Sequence, residues 1–420
     1  MLRPDAKAAA VGNAVDQDRL WDLLMRLAEI GALENGGVNR QALTELDTEA
    51  KNFVIEWARA RGFSAFQDDA ANLFVRMPGA AASQDPLIVG SHLDSQPTGG
   101  KFDGAFGVLA GLEVLESIRQ QGLTPERPIE VAAWTNEEAS RFLPGATGSS
   151  AFAGTRELSA VLDNRTVDGA RVGDELAASI AATRAELRPI HSVRPCASLE
   201  IHIEQGPILE QAGLPVGIVK GIQGVRRIQV EILGETAHAG TTPQALRKDA
   251  LDGAARIMVS LRSLTKDDDD ILRLTFGRID SFPNSPGTVT DKVRLTIDLR
   301  HPDKAVMDKV EGLIREVAPA QAHPCRTEVR VLSTVDPIAF DPSIIGLLEN
   351  CANMMNASGP LMLSGAGHDS LHLGRICPTG MVFVACEGGI SHHEAENAKP
   401  FDLALGTRVL AAAAWTLANR

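Results

Sequence analysis

Apolar residues recur at intervals of three and four over residues 18–30 and 47–61, so each is predicted to be a helix with one buried face, the second stopped by Gly62. Ahead of them the chain shows no such period and is expected to be a polar tail. Short unbroken apolar runs at 87–90, 129–134 and 381–385 are predicted to be buried strands. Strand-like and helix-like segments alternate up to about Gly221, the pattern of an α/β domain. From residue 228 the order becomes strand 228–233, helix 244–264, strands 271–279 and 292–299, helix 304–317 and strand 327–332. That βαββαβ order is ferredoxin-like and makes a compact unit by itself. The α/β pattern resumes near Pro337. The chain is therefore expected to hold a discontinuous α/β domain, residues 1–221 and 335–420, interrupted by an inserted ferredoxin-like domain, residues 222–334.

The polar residues at the ends of the apolar runs change the picture from fold to chemistry. SHLDS (91–95), TNEEASR (135–141) and GISHHEAE (389–396) each follow a predicted strand, where α/β proteins bind ligands; GGKFDGAFG (99–107) and LEIHIEQG (199–206) add further carboxylates and a histidine. Nitrogen and oxygen donors without a thiolate suit zinc, manganese or cobalt better than a structural zinc knot. Taken singly, each residue also has a plain structural reading. Asp103 is placed to cap a predicted helix over 105–120, and Glu137–Glu138 to start a solvated helix. His202 alternates with Glu200 and Glu204 along a strand, where three polar groups would be costly on an apolar face. His393 is read as an exposed side chain.

Charge and cysteine content narrow the class. A formal net charge of −13 with no dense Lys/Arg run argues against nucleic-acid and acidic-membrane partners. The N-terminus lacks the apolar core of a signal peptide, and the alanine-rich stretch at 409–418 is too short to cross a bilayer, so a soluble cytoplasmic protein is expected. The cysteines are five, an odd number, widely spaced and without a C-x-x-C pair, so they are read as reduced and mostly buried.

Taken in order, a His-x-Asp, an Asp eleven residues after the His, a Glu-Glu pair, a later His and a terminal His resemble the M20 family of dinuclear metallohydrolases over nearly the whole chain. GSHLDSQPTGGKFDGAFG, TNEEASRF, LEIHIEQGPILE, TAHAGTTP, DLRHPD, SGAGHDS and GGISHHEAE are similar to the branch that holds N-carbamoyl-L-amino-acid hydrolases, allantoate and ureidoglycolate amidohydrolases and β-ureidopropionases. The resemblance implies a dinuclear-metal catalytic domain and a lid or dimerisation domain. It implies two divalent ions per subunit, zinc or manganese with cobalt or nickel as alternatives. His92, Asp103 and His202 would hold one ion and Asp103, Glu138 and His392 the other. Asp94 would orient the His92 ring through its second nitrogen, and Glu137 would be the general base for a water held between the ions. His238 would reach the developing oxyanion across a homodimer, Arg300 would pair with a substrate carboxylate, and Gln205, His368 and Asn284 would stand on the substrate side. The implied reaction is hydrolysis of a carbamoyl or related linear amide on a small carboxylate-bearing molecule. An M20 peptidase or N-acyl-amino-acid deacylase is the alternative, against which His202 counts, since peptidase branches generally carry a carboxylate there. One departure stands out: Gly287 occupies the place, thirteen residues before Arg300, where the branch commonly has Asn.

Overall fold

The computed structural model describes residues 2–420 and divides into two compact units. One comprises the chain through Lys220 together with Phe340–Arg420; the other is Gly221–Ala339.

The centre of the first unit is formed by the strands Leu87–His92, Ile129–Trp134, Ala197–Ile203 and Thr379–Val384, in which every residue is buried. They are mutually parallel where they pair: Leu87–His92 lies between Ile129–Trp134 and Ala197–Ile203, and Thr379–Val384 flanks the latter. Burial on both faces explains their unbroken apolar sequences. Leu73–Met77 and Ser64–Gln67 extend the sheet antiparallel on one side. One sheet face packs on the helices Ala105–Gln120 and Pro400–Ala418. The other carries a smaller cluster of Phe74, Ile88, Ala132, Trp134, Phe152 and Leu373.

Two expectations are corrected here. The supposed polar tail contains a helix, Ala6–Asn13, whose N-cap Asp5 accepts the Ala8 amide at 2.8 Å and whose Ala8 and Val11 are buried. Its small residues give a weak apolar stripe, which is why periodicity does not reveal it. The alanine-rich stretch belongs to the 19-residue helix Pro400–Ala418, long and apolar enough to cross a membrane but mostly buried in this unit. A helix apolar all round is what a core position requires.

The second unit has the element order strand, helix, strand, strand, helix, strand. Its four-stranded antiparallel sheet runs Arg273–Phe282, Lys292–His301, Gly224–Leu233, Arg326–Val335. Ile228, Val230, Ile232 and Val293, Leu295, Ile297, Leu299 point from alternate positions into a core with the helices Ala250–Leu264 and Lys304–Ala322. The first of these helices begins six residues later than the apolar period suggests. Residues Gln244–Leu246 form a 3₁₀ turn, Arg247 is extended, and Asp249 caps the helix by accepting the Leu251 and Asp252 amides at 3.0 and 3.2 Å.

Candidate metal centre

His92 is the last residue of its strand, so the strand end aims the ring out of the sheet. Its Nδ1 lies 2.9 Å from the backbone oxygen of Asp94, and Nδ1 of His202 lies 2.9 Å from the backbone oxygen of Ile203. Each ring thus donates through Nδ1 to a carbonyl, which turns Nε2 as an acceptor toward the cluster; that of His202 also accepts the Gly104 amide at 3.1 Å. Both Nε2 atoms face Oδ1 of Asp103, at 3.6 Å from His92 and 3.1 Å from His202. The other carboxylate oxygen, Oδ2, lies 3.3 Å from Nε2 of His392, which in turn stands 3.3 Å from Oε2 of Glu138. The donors of His92, Asp103 and His202, and those of Asp103, Glu138 and His392, each fall within 4.8 Å of one another. Asp103 is therefore shared, one oxygen to each group.

Asp103 does not cap the helix that follows it. The N-cap is Gly104, with φ +63° and no side-chain hydrogen bond. A Cβ at Gly104 would lie 2.2 Å from the His92 ring, so both the backbone conformation and the close approach require glycine. Glu396 fixes the turn from the other side, its Oε1 accepting the amides of Phe102 at 2.9 Å and Asp103 at 3.0 Å.

Asp94 holds different atoms from those expected. Its carboxylate is 3.8 Å from Nδ1 of His92, a nitrogen already bonded to the Asp94 carbonyl. The carboxylate instead accepts the amides of Glu137 and Glu138, each at 3.2 Å, one through Oδ1 and the other through Oδ2. Adjacent strand ends are thereby tied together, because the strand carrying His92 pairs in parallel with the strand preceding Glu137. Glu137 points Oε2 to within 3.6 Å of His92 Nε2. Gln96 adds a contact that motif reading missed: its Nε2 donates to the Glu138 carboxylate at 2.8 Å and to the Glu138 carbonyl at 3.0 Å. Its position directly after SHLDS was the available signal.

Burial and crowding of charge set the electrostatics. Burial lifts the Glu137 carboxyl well above its ordinary range, reinforced by Asp369 and Glu138. Burial and Asp103 lift Glu138 to about 8. For His202 burial acts downward, yet the hydrogen bond and charge of Asp103 prevail and hold it near 9. The hydrogen bond to Asp103 likewise lifts His392 to about 9. Burial lowers His92 to about 4. The protein alone thus keeps protons on groups facing one carboxylate, an arrangement in which divalent cations can replace protons.

The remaining expected site residues are divided between the two units. Gln205 touches the cluster, Nε2 donating to Asp103 Oδ2 at 2.8 Å, and its Oε1 is buried without a partner. His368 is buried against the His202 ring, centroids 4.6 Å apart, with Nε2 on the Ser364 hydroxyl at 2.8 Å. His393 is exposed. Glu200 and Glu204, beside His202, serve the fold: Glu200 accepts the Ser91 and Ser370 hydroxyls at 2.8 and 2.7 Å, and Glu204 the amides of Ile208 and Leu209 at 2.9 and 2.8 Å. His238, Arg300 and Asn284 belong to the second unit. There His238 is exposed and accepts the Gly240 and Thr241 amides on Nδ1 at 2.9 and 3.1 Å, leaving Nε2–H as a free donor. Arg300 donates through Nε to Asp298 at 2.7 Å. Asn284 is exposed, with φ +55°.

Comparison with known proteins matches this chain to a family. The profile of peptidase family M20/M25/M40 matches residues 88–416. An N-carbamoyl-L-amino-acid amidohydrolase of Rhizobium meliloti is 36% identical over 96% of this chain and 97% of its own. A ureidoglycolate hydrolase of Oryza sativa subsp. japonica is 33% identical over 95% of this chain and 84% of its own. Among solved structures, an amidase of the hydantoinase/carbamoylase family from Burkholderia multivorans superposes with a TM-score of 0.91 at 39% identity, covering 97% of this chain and 98% of that one.

Proposed function

Because the chain belongs to peptidase family M20/M25/M40, we propose that it is a metal-dependent amidohydrolase that cleaves a carbamoyl or related linear amide C–N bond of a small carboxylate-bearing substrate. The observation that carries this reading is the division of Asp103, whose Oδ1 faces His92 and His202 while Oδ2 faces His392 beside Glu138. Two such donor groups sharing one carboxylate fit two divalent ions, zinc or manganese by donor type. When bound, the ions would supply Lewis acidity and make the attacking water more acidic.

The protein's own groups do the rest. Glu137, alongside His92, takes a proton from the attacking water and passes it to the leaving nitrogen. Asp94, Gln96 and Glu396 keep the base and the shared carboxylate in register. His238, with Nε2–H free, donates to the oxygen that gains charge as the carbonyl is attacked. Arg300 offers a planar guanidinium to the substrate carboxylate, with Asp298 holding its Nε edge, and Gln205, His368 and Asn284 stand on the substrate side. Hydrolysis of an N-carbamoyl group in this way yields ammonia, carbon dioxide and the free amino acid. The inserted Gly221–Ala339 unit serves as lid and dimerisation domain of a soluble cytoplasmic homodimer, and His238 of the partner subunit completes each site. Support comes from the relatives' names, which are those of ureido-substrate hydrolases, and from the donor set.

The test is ammonia release from a panel of N-carbamoyl amino acids, allantoate and ureidoglycolate against amine release from dipeptides and N-acyl amino acids, before and after chelation. Chelator-sensitive ammonia release is expected. Hydrolysis of dipeptides or N-acyl amino acids alone would overturn the ureido assignment and place the chain with the peptidase branches.

A further inference from the structure

We propose that Asn72 is a positioning residue for Glu137 and Glu138, acting through the neck of the loop that carries them. The inference rests on the reading of Glu137 as base and Glu138 as ligand. That loop leaves the sheet at Thr135, just past the strand Ile129–Trp134, and returns at Gly148 in the helix Thr147–Phe152. Its neck is closed by the Gly148 amide donating to the Thr135 carbonyl at 2.8 Å. The wholly buried Asn72 side chain spans the same neck. Its Oδ1 accepts the Thr135 amide at 3.0 Å, and its Nδ2 donates to the Gly148 carbonyl at 3.1 Å and to Asp68 Oδ2 at 2.9 Å. Asp68 is anchored in turn, its Oδ1 accepting the amides of Ala70 and Asn72 at 2.9 and 3.0 Å.

Only an amide satisfies both strands of the neck, since one side presents a donor and the other an acceptor. The fit is close: a Cβ at residue 148 would lie 1.9 Å from Asn72 Oδ1, so glycine is needed for the amide to reach. Beyond the neck the backbone stays bonded as far as the working residues. The Thr147 amide donates to the Asn136 carbonyl at 3.3 Å and the Ala146 amide to the Glu137 carbonyl at 3.1 Å. Asp94 then takes the Glu137 and Glu138 amides and Gln96 the Glu138 carbonyl. With Thr135 only two residues before Glu137, no slack separates the neck from the base. Asn72 is thus a hydrogen-bonded support that no metal or substrate need touch, the kind of partner whose loss costs activity through another residue.

The test compares Asn72→Ala and Asn72→Asp with wild type and with Val114→Ala, a core control in the helix Ala105–Gln120 that lowers stability away from the neck. The readouts are melting temperature, kcat and KM on the panel of N-carbamoyl amino acids, allantoate and ureidoglycolate, and Zn²⁺ titration of metal-stripped protein. Both Asn72 variants are expected to lose on the order of 10- to 100-fold in kcat and to bind the weaker Zn²⁺ equivalent about 10-fold less tightly, with KM changed less than about 3-fold. Val114→Ala should lower the melting temperature and leave these quantities in place. Should the Asn72 variants fail to fold, Asp68→Asn turns a donor toward Nδ2 of Asn72 and should show a smaller loss of the same kind. Folded Asn72 or Asp68 variants with wild-type kcat and Zn²⁺ affinity would overturn the inference. Wild-type protein inactive on every ureido substrate would instead refute the proposed function, and the Zn²⁺ titration would still decide the role of Asn72.

Discussion

Nε2 of His202 stands 3.1 Å from Oδ1 of Asp103, while its Nδ1 is committed to the Ile203 carbonyl. A proton on that Nε2 and a divalent cation compete for one place, and the same holds for His392 on Oδ2. Both imidazoles titrate near 9 in the protein, above the ordinary value of 6.5. A raised folded-state pKa contributes stability that is fully present below the unfolded value and is lost as pH rises through the folded one. The metal-stripped protein is therefore expected to lose melting temperature between about pH 6.5 and 9, and Glu138, lifted to about 8, adds to the loss in the same direction. Metal affinity should rise over the same range as the protons leave. Calorimetric scans of stripped and Zn²⁺-loaded protein across this range check it; a stripped protein whose melting temperature climbs toward pH 9 would contradict the assignment.

Glu137→Gln is expected to keep both metal equivalents and to lower kcat by on the order of 10²- to 10⁴-fold, because it removes proton transfer and leaves the ligand Glu138 in place. Metal analysis and single-turnover ammonia release on the same preparation decide it. A variant with two ions and near-normal turnover would move the base elsewhere.

Gly287 lies beside the segment that carries His238: its carbonyl accepts the Ala239 amide at 3.0 Å, and Thr288 pairs with His238. A Cβ there would meet nothing within 4 Å, so the glycine is not required by a close approach and leaves open room beside it. The expected behaviour is weak hydrolysis of simple N-carbamoyl-L-amino acids, better hydrolysis of a ureido acid bulkier near its acid end, and improved use of the simple substrates by Gly287→Asn. Fast turnover of N-carbamoyl-L-methionine or alanine, unimproved by the substitution, would show the glycine to be neutral.

If His238 of the partner subunit completes each site, His238→Ala should lower turnover by on the order of 10²- to 10³-fold without loss of metal. Mixing His238→Ala chains with Glu137→Ala chains under subunit exchange should then restore up to about a quarter of wild-type activity, since half of randomly paired dimers are mixed and each regains one of two sites. Verified mixed dimers that stay inactive, with both parents folded and metal-loaded, would place His238 in its own chain's site or in none.

Donor types and their order were legible in the sequence by itself. His92 ends one apolar run and Glu138 closely follows another, and these doubly buried strands pair in parallel, so both side chains come to the same edge of the sheet, while His392 lies beyond the buried strand Thr379–Val384. The alternation of Ile228, Val230 and Ile232 likewise marked a one-faced strand and a change of architecture. What the tertiary structure alone decided are the partners of polar groups, because a hydrogen bond depends on where a distant turn comes to rest. Asp94 could have held the ring two residues away; parallel pairing of the strands carries it to the amides of Glu137 and Glu138 instead. Asp103 could have capped its helix, until Gly104 turned its backbone and Glu396, far along the chain, took the amide of Asp103. Asn72 sits in no recognisable motif, since its work depends on Thr135 and Gly148 meeting at a neck that exists only once the loop between them has closed.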